Sequence, residues 1–256
     1  MKRRAAIAFL VLFASFAARA ADTQPSIETA RGRVKTADYR IVGHLVRVEA
    51  GGARTSYGVT LKAHWFATEL RVLLNVTSPG NAREHVLLTM RPGGQDAIEV
   101  ARPGDKAATP LPFSQWSEGL LGGDFSYEDF LEPEFFWPSQ TVVREEKRGA
   151  RDCDVVKSAP GPSDRTHYAE ALTWLDRTIS FPIYAEKTLK GSGVVKEFTY
   201  YGLRHDEGVW SASQIEASTR GKPGSTLLVI ERGSAKAKLS ARDFGTEAMT
   251  HFSGGA

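Results

Sequence analysis

Tyr39-Arg40-Ile41-Val42-Gly43-His44-Leu45-Val46-Arg47-Val48 alternates aliphatic and polar residues. Side chains of a strand repeat every two residues, so this run predicts a strand with Ile41, Leu45 and Val48 near one surface. Gly51-Gly52 then turns the chain. Working outward, the same signature recurs at 57–66, 69–77, 83–91 and 97–102, with breaks at Pro92-Gly93-Gly94 and Pro103-Gly104-Asp105. Beyond Gln140 it returns at 141–147, 152–158, 166–176, 181–189, 194–203, 209–218 and 225–231, between turns such as Pro160-Gly161-Pro162 and Gly191-Ser192-Gly193. About twelve strand candidates at roughly 8–12 residue spacing favour a meander over any βαβ arrangement. The expected fold is mainly β: one antiparallel curved sheet, an incomplete β-barrel of about eleven strands, with short helices covering its concave face.

The alternation lapses once, between Leu111 and Trp137, where aromatic residues crowd together. Phe113, Trp116, Leu120 and Leu121 stand at helical offsets, which predicts a short helix ended by Gly122-Gly123. Ser126-Tyr127-Glu128-Asp129 has the form of a capping box, which starts a second helix at Tyr127 that stops before Pro133. A sheet of this many strands curls, and its hollow side has to be filled by side chains, a lid or a ligand. The insertion at 111–137 is the expected lid. Its Phe113, Trp116, Leu120, Leu121, Phe125, Tyr127, Phe130, Leu131, Phe135 and Phe136 are the candidate ligand contacts. The alternative is a closed core in which the same aromatics simply pack on the sheet. Burying a large side chain is worth ~1.5–3 kcal/mol, so they are covered in either case.

The first twenty residues read as a secretory signal: Lys2, Arg3 and Arg4, then an apolar run from Ala5 to Ala18, then Ala18-Arg19-Ala20 as the cleavage signal before Ala21. The run is shorter than the roughly 20 residues that cross a bilayer. A periplasmic protein of one domain, residues 21–256, is expected. The whole chain carries 33 Lys and Arg against 30 Asp and Glu. Residues 1–20 hold four of the cations and no acid, so the remainder is slightly acidic, which argues against a nucleic-acid partner. Cys153, the single cysteine, is expected inside a strand beside Val155 and Val156 and offers no lipid-attachment site after the apolar run. Ala21 to Lys35 reads as a polar lead-in, 239–244 as a cap or last edge, and the segment from Ser253 as a loose tail.

Catalysis finds no support. The six histidines show no metal-binding spacing, and no Gly-x-Ser-x-Gly elbow or phosphate loop is present. Asp124, Glu128, Asp129, Glu132 and Glu134 form the one dense acidic group; capping and dipole compensation explain it more simply than acid–base or metal chemistry. No cofactor is expected, and a monomer is. Trp137-Pro138 closes the insertion, either as buried packing or as a surface for a membrane or partner.

Gly119-Leu120-Leu121-Gly122-Gly123-Asp124-Phe125-Ser126-Tyr127-Glu128-Asp129-Phe130 resembles a motif of the outer-membrane lipoprotein-sorting protein family, the LolA/LolB-like group. Trp174-Leu175-Asp176, Phe181-Pro182, Val195-Lys196-Glu197-Phe198, Trp210 with Ile215, and Ser240-Ala241-Arg242-Asp243-Phe244 resemble its C-terminal half. The resemblance implies a half-open barrel with helices over an apolar cavity and, as partner, the acyl chain of a lipoprotein or a lipid. It departs from the receptor member in lacking the lipid-attachment cysteine, and it shows no match to the carrier's ligand-gripping residues. Relatives with this motif often accompany lipid exporters of the resistance-nodulation-division type. Two functions follow as expectations: a carrier or chaperone in envelope lipid or lipoprotein trafficking, or an adaptor that docks on an inner-membrane transporter without carrying ligand.

Overall fold

A computed structural model describes residues 25–252; the expected signal segment, its cleavage position and the tail from Ser253 lie outside these. The chain opens with a helix, α1 (Pro25–Lys35). A first meander follows: β1 (Asp38–Val48), β2 (Arg54–Trp65), β3 (Leu70–Ser78), β4 (Glu84–Met90), β5 (Ala97–Ala101) and β6 (Thr109–Pro110). The insertion comes next, and then β7 (Ser139–Arg148), β8 (Arg151–Ala159), β9 (Tyr168–Asp176), β10 (Pro182–Leu189) and β11 (Val195–Tyr201). A side hairpin, β12 (Arg204–Asp206) and β13 (Val209–Ser211), precedes β14 (Gln214–Thr219) and β15 (Ser225–Ser234), and a short α2 (Thr246–Thr250) ends the described chain. The expected strand at 209–218 is thus two strands, and only its second half joins the main sheet.

Thirteen strands form one antiparallel sheet in the order β6-β5-β4-β3-β2-β1-β15-β14-β11-β10-β9-β8-β7. The two meanders meet where β1 pairs with β15. A bulge lies at that seam between Val42 and Gly43; a Cβ at Gly43 would stand 2.0 Å from the carbonyl oxygen of Val229. The order makes β6 and β7 the two free edges. The insertion is the segment that joins them, so a curled sheet obliges it to pass across the hollow side. Topology therefore makes residues 111–138 the cover.

The concave face is a continuous apolar surface that includes Ile41, Leu45, Val59, Leu61, Val72, Val86, Ile98, Phe198 and Leu228. Val48, expected beside Ile41 and Leu45, falls outside this cluster. On the outer face the C-terminal segment caps a smaller group, with Leu239, Phe244 and Met249 on Leu73, Leu87 and Ala101. Cys153 is fully buried with Val155, Trp174 and Tyr184, and burial pushes its thiol up to about 11.

Candidate ligand cavity

Two pieces cover the hollow. One is α1, which the polar lead-in did not announce: Ile27, Ala30 and Val34 form its buried stripe, and Arg31 ties it down by donating to the Phe135 carbonyl at 2.8 Å and to Gln140 Oε1 at 2.6 Å. The other is the insertion, where the second expected helix starts at Tyr127 behind the Ser126 capping box as a 3₁₀ turn, while the first, expected through Leu121, is not continuous. The segment holds four 3₁₀ turns, at Phe113–Gln115, Leu120–Gly122, Tyr127–Phe130 and Pro133–Phe135. Leu121 adopts φ 55° and Gly122 φ 70°, which no continuous helix allows. Instead Gly119 bridges to Ser126, Leu120 N–H donates to Phe125 O at 2.7 Å, and a Cβ at Gly119 would lie 2.1 Å from the Gly123 oxygen. The glycines permit a tight loop, and helical periodicity in its flanks was coincidental.

Acidic residues of the insertion bolt it to the sheet. Asp124 accepts from Thr219 (3.2 Å) and Thr226 (3.1 Å). Glu128 accepts from Thr166 (2.9 Å) and the His167 backbone (3.1 Å). Asp129 closes the capping box, accepting from the Ser126 backbone N–H at 2.7 Å, and also takes the Tyr168 hydroxyl at 2.5 Å and the Lys196 ammonium. Burial pushes its carboxyl up, but Lys196 and Lys187 outweigh that and hold it below the usual range. Lys187 pairs with Glu134 at 2.9 Å and Arg33 with Glu132 at 2.6 Å. Glu128 and Glu132 serve different partners, His167 and Arg33.

The cover does not fill the hollow. Under the middle of the sheet remains a cavity of about 420 Å³. Ile41, Leu61, Phe198, Tyr200, Leu228 and Ile230 form its floor, Val34 and Ala37 with Phe125, Phe130 and Leu131 its roof, and Trp210 of the side hairpin part of its wall. All ten candidate contacts join the same apolar cluster. Phe125, Phe130 and Leu131 reach the cavity. Phe113 stacks on His167 with centroids 4.1 Å apart, buried Trp116 donates to the Leu111 carbonyl at 3.0 Å, and Phe136 stacks on Trp65 at 5.4 Å. Tyr127 donates to Glu84 at 3.2 Å, while Leu120, Leu121 and Phe135 pack within the cover. Trp137 is buried against Tyr168. The sheet residues of the cavity escaped sequence reading because a lining strand and a core strand have the same pattern. The i, i+3, i+7 spacing of Ile27, Ala30 and Val34 was the available signal for α1.

Ser56, His44 and Glu231 do line up on the outer face, at 3.4 and 3.0 Å. They are exposed cross-strand neighbours on an open surface.

The architecture has close structural counterparts. A DUF1329 family protein from Desulfovibrio piger matches with TM-score 0.78 at 16% identity, over 88% of this chain and 98% of its own. An outer membrane lipoprotein-sorting protein domain from Vibrio parahaemolyticus matches with TM-score 0.76 at 18% identity, over 87% and 97%. A LolA superfamily protein from Nitrosomonas europaea matches with TM-score 0.65 at 16% identity, over 87% and 97%. No curated protein matches by sequence. A family model, described as "Uncharacterized protein", matches residues 69–251, well over half the chain. The chain belongs to this family, and its fold is the LolA-like one of the solved structures. The LolA-like sheet is the thirteen-stranded one described above, open between β6 and β7, and the matched span runs from its third strand through the insertion to α2.

Proposed function

We propose that the protein is a periplasmic carrier that shields one acyl chain, from a lipid or a lipoprotein, between the curved sheet and its cover. The observation that carries this reading is the cavity itself: a largely apolar space of about 420 Å³ left between the sheet and its two covering segments. Ligand sites commonly span ~300–1,000 Å³. At roughly 30 Å³ per water-sized group, the space takes about fourteen such groups, the bulk of a single acyl chain. Each buried methylene contributes about 0.8 kcal/mol, so a chain binds with no covalent chemistry. Phe125, Phe130 and Leu131 are the proposed contacts from the insertion, and Val34 is the one from α1. Export to the periplasm is supported by the signal-like residues 1–20 and by the lipoprotein-sorting name of a structural counterpart.

Native mass spectrometry of the protein purified from its host, together with titration by a fluorescent acyl probe, tests the proposal. Saturable uptake at one site per chain is expected. Absence of both a co-purifying lipid and saturable binding overturns it.

A further inference from the structure

The cavity lining is largely apolar, and its charged residues fall in two places: exposed or half-exposed ones, Asp38, Arg40, Arg204, Asp206, Glu207 and Arg232, and a buried patch beside α1. Arg33 enters there between Phe181 and Phe135, its guanidinium carbon 5.1 and 5.9 Å from their centroids. One terminal nitrogen donates to Glu132 Oε1 at 2.6 Å, but the buried Nε–H has no partner among the described residues. Tyr39 on β1 and Tyr200 on β11 line the same space, and neither hydroxyl bonds to a described residue. Burial first, and the Glu132 carboxylate second, push both phenols above their usual range, so both remain O–H donors. The patch therefore presents three donors and wants an acceptor.

Charge decides which kind of acceptor. Arg33 is matched by Glu132, Lys187 by Glu134 and Asp129 by Lys196. No cation of this buried set is left over to balance a carboxylate or phosphate taken out of water, and an unmatched buried anion is strongly disfavoured. A carbonyl oxygen accepts strongly and carries no charge.

We infer that Tyr39, Tyr200 and Arg33 receive the uncharged carbonyl of an ester- or amide-linked acyl chain whose hydrocarbon lies along the rest of the cavity. This rests on the carrier reading and narrows it: the cargo is an acylated molecule rather than a free fatty acid. The two tyrosines stand on strands that belong to different meanders, so the patch exists only where the β1–β15 seam brings those halves together.

The test uses the full chain and displacement of a bound fluorescent acyl probe by matched compounds. 1-Monomyristoylglycerol and 1-O-tetradecylglycerol differ by the carbonyl alone. The ester should bind roughly tenfold more tightly than the ether, the sum of two ordinary hydrogen bonds, and more tightly than myristate at pH 8. In the Tyr39→Phe/Tyr200→Phe variant the ester should fall to the level of the ether, while the ether is unchanged. An N-myristoyl peptide amide identifies the source: preference for it points to lipoproteins, preference for the glycerol ester to lipids. Equal binding of ester and ether, or preference for myristate, overturns the inference and leaves the carrier reading standing; failure of every compound to bind overturns both. The wild-type ester-to-ether comparison decides the matter even if the double variant does not fold.

Discussion

Asp129 shows how much one residue of the insertion is asked to do. Its carboxylate is buried, caps a 3₁₀ turn, and meets Lys196 of β11 and Tyr168 of β9, so it fastens the cover to two strands at once. Removing one partner of a buried ion pair strands the other charge, at a cost of about 3–5 kcal/mol. Lys196→Met should therefore lower unfolding stability by that amount in urea titrations, and adding Asp129→Asn should recover part of it. Because the carboxyl is held below its usual range, Asp129 contributes fully above about pH 4 and loses that contribution as acid protonates it in the folded state. Asp96 works in the opposite sense. Burial, with the neighbouring Asp164 and Glu128 carboxylates, raises it to about 6. The folded state then holds a proton that the unfolded chain has released, and this group costs stability as pH rises from about 4 to about 6. Asp96→Asn keeps an acceptor for the Arg91 N–H, which now bonds at 2.7 Å. The variant should be more stable than wild type at pH 7.5, on the order of 1 kcal/mol, and equal to it at pH 4; the reverse order in thermal melts at the two pH values would refute the assignment.

Among the elements, the β1–β15 seam joins two meanders that otherwise share only the cover. Gly43 sits at its bulge, where a side chain would collide with backbone rather than with a flexible neighbour. Gly43→Ala should cost at least about 1–3 kcal/mol, as overpacking does, whereas Gly51→Ala, in open space at the next turn, should change the melting temperature little. The strands were legible in the sequence because alternation and Gly or Pro punctuation agree at nearly every one. Eleven of the expected twelve map onto single strands within a few residues of their ends, the exception being 209–218. The cover was harder to read. Its aromatic density and its capping box at Ser126 marked the place, but Phe113, Trp116 and Leu120 at helical offsets describe a loop tied by side chains, not a helix. The partners that tie it, Lys187, Lys196 and Thr226, lie on strands whose pattern says nothing of which buried position carries a charge. α1 has a stripe of one isoleucine, one alanine and one valine among charged residues, too faint to stand out without the surface it packs on.

At the scale of the whole molecule, the cavity is lined by Leu228 and Ile230 of β15, the central strand of thirteen. Arg31 and Arg33 bond α1 to the insertion at Phe135 and Glu132, while the Asp129 cluster bonds the insertion to β9 and β11, so the two segments form one connected cover. A ligand that binds the folded state alone stabilises it by about 2.7 kcal/mol at a hundredfold excess over Kd. For a chain of this size that raises the melting temperature by roughly 5–10 °C. Filling the space from inside separates a working cavity from a packing gap. Leu228 on β15 is buried and faces the cavity, so Leu228→Trp projects an indole into it at little cost to the fold. The variant should keep or raise the melting temperature of the unliganded protein, lose the ligand-induced rise, and bind the acyl probe at least tenfold more weakly. Undiminished binding with a normal melting curve would place the ligand elsewhere, and an unliganded protein destabilised by several degrees would mean that the space is too small or too well packed to receive a chain.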